Sequence, residues 1–387
     1  MDTLSPDTPS GNRIPTIDIL RGLALVLMVL DHTRSFFHEA RFSPSILMRT
    51  YPSLYLTRLF THPAAPVFFL LAGTAAYLAI RKTGKAREVS RFLLLRGLLC
   101  IALEVTVVNF FWFFSLDYEF VNFQAIWALG WAMILLSAMV RVHPAVAGVI
   151  GIVLIAGHNM FDGITPDALG GFGWLWKIIH TYGTIKAWGI QWRVVFPLVP
   201  WAGVMLAGYW LGTVYDRDQA DRRKILLRAG LAVTAAFFIL RWMNIYGDPY
   251  TWYRNQTFVY TVMSFFNCEK YPPSLSFLLM TLGPALVTLG WLEGARHRAL
   301  GVLELFGRVP FFFYLTHLPL AHLLSVLALY ARYGEIYLNR FTIPDGRGFG
   351  LTAVYLVTAA IVAALYVPCK KYERLRHSGK FPILRYL

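Results

Sequence analysis

The chain has 387 residues, of which 57% are hydrophobic, 16% aromatic and only 15% charged, with a formal net charge of +15. Soluble domains carry about 25% charged residues, so this composition excludes an ordinary soluble fold and indicates a polytopic helical membrane protein. The positive charge does not indicate a nucleic-acid partner, because the basic residues cluster in short loops between long apolar runs. Three scattered cysteines are too few for a disulfide framework, and we expect no cleaved signal peptide.

Residues 17–37 (IDILRGLALVLMVLDHTRSFF) form the first predicted span, which is long enough to cross a bilayer. The span contains Asp18, Arg21, Asp31 and His32. Each would cost roughly 2.5–3.5 kcal/mol or more if it faced lipid, so we expect these side chains to face the interior of the bundle. Arg21 and His32 are separated by about three helical turns, so they share one face and lie about 16.5 Å apart along the axis.

Nine further apolar runs are predicted to cross the membrane, at residues 62–80, 92–115, 123–140, 145–158, 194–214, 225–243, 274–292, 302–330 and 349–369. Ten spans place both termini on one side. Lys and Arg concentrate on that side, which the positive-inside rule makes cytoplasmic. They lie in the connections 81–91, 141–143, 216–224 and 293–300 and in the basic tail 370–387.

These spans predict an all-α helix bundle that forms a single membrane-embedded domain over residues 1–387, with a polar N-terminal tail at 1–12. The connections 159–192 and 244–273 are expected to be long outer loops. Pro310 and Pro319 interrupt the ninth span and can divide it into two helices.

Polar side chains at both ends of the predicted bundle are candidates for a functional site. At the outer end, His32 and His62 are placed to meet Asp31 in one pocket, while His317 lies near mid-membrane. At the cytoplasmic edge, a ring of four arginines can bind phosphates, because guanidinium groups bind phosphate with two parallel hydrogen bonds. These four are Arg21, Arg96, Arg228 and Arg308.

Structural roles compete with each of these assignments. Histidines in helix bundles often make only hydrogen bonds between helices, and arginines at a membrane edge often reach towards lipid headgroups. Asp18 with Arg21, and Glu304 with Arg308, have the spacing of neutralising pairs within a helix. For His32 the functional interpretation is favoured, because an adjacent carboxylate at membrane depth is a costly feature.

Three stretches of the chain resemble the heparan-α-glucosaminide N-acetyltransferase catalytic-domain family. They are RIPTIDILRGLALVLMVLDHTRSFF, THPAAPVFFLLAGTAAYL and LFGRVPFFFYLTHLPLAH, and the resemblance is strongest over residues 13–80 and 301–325. The spacing from Arg21 to His32 is also similar to a motif of the related acyltransferase family 3, whose members acylate sugars outside the cytoplasm.

The resemblance implies that the protein moves an acetyl group from cytosolic acetyl-CoA to an amine or hydroxyl of an extracytoplasmic sugar or glycan. Arg21, Arg96, Arg228 and Arg308 would hold the phosphates of coenzyme A, and His32 would be the catalytic base, assisted by Asp31 and with His317 nearby. In the lysosomal enzyme the histidine usually assigned to catalysis follows the first helix, and an asparagine stands where this chain has His32. The choice among His32, His38 and His62 therefore stays open.

The resemblance also implies a bacterial inner-membrane location, with the lipid bilayer, coenzyme A and a glycan as partners and no metal. Whether the protein forms a homodimer is left open. The competing hypothesis is a proton-coupled transporter or flippase that uses Asp31, His32, Glu104 and His317 as a relay. Inverted repeats and paired discontinuous spans would favour transport, and the sequence contains neither.

Overall fold

The computed structural model describes residues 14–295 and 300–381, and most of them are α-helical. The first helices are α1 Pro15–Phe37, α2 Pro52–Thr61, α3 Ala64–Thr83, α4 Ala86–Leu103, α5 Asn109–Phe113, α6 Ala125–Met139 and α7 Pro144–Gly157. They are followed by α8 Gly173–Ile179, α9 Leu198–Leu211, α10 Gln219–Met243, α11 Phe258–Phe266, α12 Leu275–Leu292, α13 Leu300–Arg308, α14 Pro310–Tyr333 and α15 Leu351–His377.

Within the described residues, eight helical segments are long and apolar enough to cross a membrane. α1 has 23 residues but its charged residues are spread along its length, so it has no long uncharged stretch, and the apolar α6 is shorter. With these two helices added, the structure matches the ten predicted spans one for one. The prediction of a helical polytopic membrane protein is confirmed.

The ninth predicted span divides at one proline and not at the other. α13 ends at Arg308, Val309 leaves the helical region with φ −126°, and Pro310 begins α14. Proline is favoured in the first turn of a helix, where its missing N–H has no partner to lose. Pro319 lies inside α14, which continues unbroken to Tyr333.

The connection at 159–192 is more ordered than the predicted loop. It contains α8 and a hairpin of two strands, β2 (Gly183–Ala187) and β3 (Ile190–Val194). β3 also pairs in parallel with a third strand, β1 (Phe120–Phe123), in the register Phe120↔Gln191 to Phe123↔Val194. β1 leads into α6 and β3 leads towards α9, so the small sheet fixes where these two helices enter the bundle.

Contacts among helix ends and connections define two ends of the bundle. At one end, Thr16 donates to Glu293, Arg81 pairs with Asp216 and Arg376 donates to the Arg308 carbonyl. We call this the inner end.

The connections at the other end also contact one another. The Glu39 N–H donates to the Phe349 carbonyl, Tyr260 donates to the Thr50 carbonyl and Asn267 donates to the Ser45 carbonyl. We call this the outer end.

α1 lies at the centre of the bundle and packs against α3, α13, α14 and α15. Its approach to α13 is very close. A Cβ atom at Gly22 would overlap the Leu303 carbonyl oxygen, and one at Gly307 would overlap the Asp18 carbonyl oxygen. Glycine at both positions lets the backbones touch, which is a common device in membrane helix packing. This contact fixes the inner half of α1.

Candidate active site

A cavity of about 1580 Å³ follows α1 from the inner end to the outer end. One stripe of α1 lines it along its whole length, comprising Asp18, Arg21, Leu25, Met28, Asp31, His32 and Ser35. Side chains three and four positions apart share a helix face, so this stripe is the one that the spacing of Arg21 and His32 predicts. The structure therefore brings the predicted inner arginine and the predicted outer histidine to one cavity.

The inner end of the cavity is lined by many basic side chains, which are Arg21, Arg81, Lys82, Arg96, Arg217, Arg222, Arg308 and Arg376. Two of the predicted phosphate-binding arginines are already paired with carboxylates. Arg21 donates to Asp18 at 2.8 Å and to the Gly307 carbonyl at 3.0 Å. Arg308 pairs with Glu304 and, at 3.2 Å, with Glu373.

Arg96 and Arg228 have different surroundings. Arg96 lines the cavity, and its guanidinium lies over the rings of Phe92 and Phe311. Its buried Nε has no hydrogen-bond partner among the residues that the structure describes. Arg228 is exposed on α10 and is not part of the cavity lining, so this arrangement gives it no place beside a ligand in the cavity.

At the outer end, His32 forms a hydrogen bond with His317, with 2.8 Å between His32 Nδ1 and His317 Nε2. His317 Nδ1 lies 3.0 Å from the Phe313 carbonyl oxygen, which can only accept a hydrogen bond. His317 Nδ1 therefore carries the proton, and Nε2 of a neutral His317 is an acceptor. His32 must then donate from Nδ1, so its Nε2 keeps a lone pair.

The position of these two rings makes His32 the member of the pair that can act on a ligand. His32 lines the cavity, whereas His317 lies behind it and is fully buried. Trp112 packs edge-on against the His32 ring with 5.1 Å between the centroids. The arrangement gives a cavity-facing base whose tautomer and orientation are fixed by its neighbours.

In the part of the chain that the structure describes, the hydrogen bonds of Asp31 go to side chains other than His32, although Asp31 is predicted to assist that ring. Its carboxylate receives two hydrogen bonds from Arg58, at 2.7 and 2.5 Å, and one from Arg34 at 3.0 Å. Thr61 also donates to it at 3.3 Å. With two guanidinium groups on a largely buried carboxylate, Asp31 balances charge and ties α1 to α2.

The two rival histidines are also buried, but neither lines the cavity. His38 Nδ1 accepts the Ala40 N–H at 2.9 Å, so its Nε2 is the donor to the Tyr51 hydroxyl at 3.0 Å. Burial and the Arg34 charge lower the pKa of His38. His62 packs against Phe277 and has no hydrogen-bond partner among the described residues to orient its ring. The geometry favours His32 over both.

Two cations at the outer end were missed by the sequence reasoning. Lys270 and Arg340 lie on the outer connections 244–273 and 331–348, and both line the cavity. Burial and the Arg58 charge lower the pKa of Lys270, and burial lowers the pKa of Arg340 to about 10. No periodic pattern marks residues on connections, and their placement depends on distant contacts such as those of Asn267 and Glu39.

Glu104, a member of the proposed relay, has a structural contact instead of a place in the cavity. It begins a π-helical turn that continues α4, and it is fully buried. Its Oε2 accepts the Trp127 N–H at 3.0 Å, near the start of α6. A carboxylate at a helix N-terminus satisfies a backbone donor that has no partner within the helix.

The comparison with protein families agrees with this geometry. The model of the family described as heparan-alpha-glucosaminide N-acetyltransferase, catalytic, matches residues 13–246, which is more than half of the chain. The chain belongs to this family. The predicted resemblance is confirmed, and membership in the heparan-alpha-glucosaminide N-acetyltransferase family indicates a membrane acetyltransferase. None of the curated proteins matches the chain.

The family match covers only part of the cavity. Arg21, His32 and Arg96 lie inside the matched residues 13–246. Arg308, His317 and the two outer cations lie beyond them and come to the cavity through the fold of this chain. The family match therefore includes the stripe on α1 and the lining residues up to 246, and the lining beyond residue 246 is assigned from the structure.

Proposed function

We propose that the protein is an integral membrane acetyltransferase that takes an acetyl group from acetyl-CoA at the inner end of the cavity. The group passes to an amine or hydroxyl of a sugar or glycan at the outer end. The observation that carries this proposal is the single cavity that joins the basic inner end to Nε2 of His32. Arg21 and His32 are about 16.5 Å apart along the helix axis, a length comparable to a pantetheine arm.

Coenzyme A fits the inner end by charge. Its phosphates need several cationic donors, and Arg96 offers a buried Nε without a partner among the described residues. Arg21 lines the same end of the cavity, paired with Asp18, and adds positive charge there. Charge-assisted hydrogen bonds of this kind contribute roughly 1.5–3 kcal/mol each. The thioester would then lie towards His32, along the apolar strip of Leu25 and Met28.

The chemistry at the outer end is general-base acyl transfer. The acceptor nitrogen or oxygen attacks the thioester carbonyl carbon, and Nε2 of His32 takes the proton that the acceptor loses. The tetrahedral intermediate collapses, the C–S bond breaks, and the coenzyme A thiolate leaves. The proton on His32 then passes to the thiolate or to water. His317 holds the ring throughout by accepting the hydrogen bond from Nδ1.

The two ends of the cavity are assigned to opposite sides of the membrane. The inner end carries the connections 81–91 and 216–224 and the tail after 370, where Lys and Arg concentrate. The positive-inside rule makes this end cytoplasmic, where acetyl-CoA is available. The outer end then faces away from the cytoplasm, across a bacterial inner membrane.

The test is release of free thiol from acetyl-CoA by the purified protein in lipid nanodiscs, with glucosamine as a trial acceptor. We expect acetyl-CoA-dependent thiol release that the His32→Gln variant loses while it still binds coenzyme A. A protein that neither binds coenzyme A nor releases thiol would contradict the proposal and favour the transporter.

A further inference from the structure

The outer end of the cavity has many more positive than negative side chains. Its basic lining residues are Arg34, Arg41, Arg58, Arg193, Lys270 and Arg340. Among the described lining residues, Asp31 is the only acidic one at this end. Arg34 and Arg58 already neutralise this carboxylate. Nothing in the lining therefore balances the remaining cations.

Lys270 is the clearest case of a buried cation without a carboxylate partner of its own. It is only 9% exposed, and its ammonium makes no ion pair with a carboxylate in residues 14–295 and 300–381. It lies 5.3 Å from the centroid of the Tyr271 ring, and the Tyr271 hydroxyl contacts Arg58, which binds Asp31. The neighbouring Glu269 accepts the backbone N–H groups of Lys270 and Tyr271 and does not line the cavity.

Arg340 lines the same outer end of the cavity. Its guanidinium lies over Phe341, at 4.5 Å from the ring centroid, and over Trp112 at 5.7 Å. Trp112 in turn packs against His32. Within the part of the chain that the structure describes, Arg340 forms no ion pair, and its guanidinium contacts these two aromatic faces. A cation over an aromatic ring is stabilised by roughly 0.5–2 kcal/mol, which does not replace the counter-charge that an anion would supply to this partly buried guanidinium.

Holding a cation in a largely enclosed cavity without a carboxylate partner costs free energy, and an anionic ligand offsets this cost. Coenzyme A cannot supply it here, because its phosphates are assigned to the inner end, about 16.5 Å away along α1. The missing anion must come from the other substrate, which reaches the cavity from the outside.

We propose that Lys270 and Arg340 bind an anionic group of the acceptor, a carboxylate, sulfate or phosphate next to the group that is acetylated. They would be specificity-determining residues that hold the acceptor against Nε2 of His32. Both lie outside the residues matched by the family model, so the assignment belongs to this chain. The inference rests on the proposed function, because it takes the outer end of the cavity to be the acceptor site.

The test is equilibrium binding of matched probes to protein that is saturated with coenzyme A, which blocks the inner end. Glucose, glucuronate and glucose 6-phosphate share one ring and differ in charge, so the carboxylate and phosphate sources are measured separately. We expect glucuronate or glucose 6-phosphate to bind at least tenfold more tightly than glucose. Equal binding of all three would overturn the inference and leave the proposed acetyl transfer untouched.

Variants show whether the binding is at this site. Lys270→Gln and Arg340→Gln should each weaken binding of the anionic probe about tenfold, and Lys270→Arg should restore most of it. Lys186→Gln is the matched control, because Lys186 is exposed on β2 and does not line the cavity. Anion binding that survives both cavity variants would also overturn the inference. The proposed acetyl transfer fails in a different measurement, because coenzyme A would then not bind to the protein.

Discussion

The two ends of the cavity carry the same sign of charge but balance it differently. At the inner end, Arg21 and Arg308 are paired with carboxylates of the same or a neighbouring helix. At the outer end, one carboxylate, Asp31, serves two arginines, and Lys270 and Arg340 are left with aromatic contacts.

This difference separates two ways of recognising an anion. A cation that is already paired with a carboxylate gains less from binding a phosphate, because its charge is already balanced. Cations without a carboxylate partner gain more when an anion arrives. We therefore expect substitution of a paired inner arginine such as Arg308 to weaken ligand binding less than substitution of Lys270 or Arg340.

Removing the base should have the largest effect. His32→Gln should lower the rate of acetyl transfer by 10²- to 10⁴-fold, the typical contribution of a general base, with coenzyme A affinity unchanged. Thiol release and coenzyme A binding are measured on the same preparation. His38→Gln and His62→Gln serve as comparisons and should keep most of the rate if they fold. If the His38 or His62 variant loses acetyl transfer while the His32 variant keeps it, the catalytic base is that other histidine and not His32.

At the inner end, Arg96 should matter more than Arg308. Arg96→Gln removes a cavity-lining guanidinium without a carboxylate partner among the described residues, so coenzyme A affinity should fall about tenfold. Arg308→Gln should cost less, since Glu304 and Glu373 already compete for that guanidinium. Titration calorimetry measures both, with Arg223→Gln on the exposed face of α10 as the control. If coenzyme A affinity falls more in Arg308→Gln than in Arg96→Gln, then Glu304 and Glu373 give up Arg308 to the ligand, and the expected order is wrong.

His317 should affect the rate through His32. His317→Leu removes the acceptor for His32 Nδ1, so the ring loses its preferred tautomer and the transfer rate should fall about five- to tenfold. His317→Gln can still accept this hydrogen bond and should recover most of the rate, which a purely structural role would not explain. His322→Leu is the control on α14, because His322 donates to the Phe111 carbonyl away from the cavity. If His317→Leu and His322→Leu lower the transfer rate equally, His317 does not act by positioning His32.

The pH dependence of anion binding is the smallest expected effect at the outer end. Burial and Arg58 lower the pKa of Lys270, while Asp31 and Tyr271 oppose this. The ammonium therefore loses its proton at a lower pH than an exposed lysine does. Affinity for glucuronate or glucose 6-phosphate should fall a few-fold as pH rises through this pKa. Lys270→Arg stays protonated and should lose the dependence, and an unchanged profile in that variant would exclude Lys270 as its source.

The sequence predicted the features that follow from helical periodicity. The ten spans and the stripe from Arg21 to His32 depend only on local spacing, and the structure reproduces both. The break before Pro310 also follows from local chemistry.

Features that depend on distant contacts could not be predicted in this way. Asp31 pairs with Arg58 because α2 folds back on α1, and His317 meets His32 because α14 packs beside α1. Lys270 and Arg340 are placed by connections whose path no periodicity encodes. Sequence adjacency suggested that Asp31 orients His32, whereas neighbouring helix residues point in different directions.

The central claim is transfer through one cavity from the inner end to the outer end. Proteoliposomes with one protein orientation test this claim. The orientation is determined by labelling Thr83→Cys and Gly171→Cys with an impermeant maleimide, and the native cysteines do not interfere because they are buried. Acetyl-CoA is supplied only on the side of residue 83 and the acceptor only on the side of residue 171. We expect acetylated acceptor in this arrangement and none when the two substrates are exchanged. Transfer that requires both substrates on one side of the membrane would contradict the account.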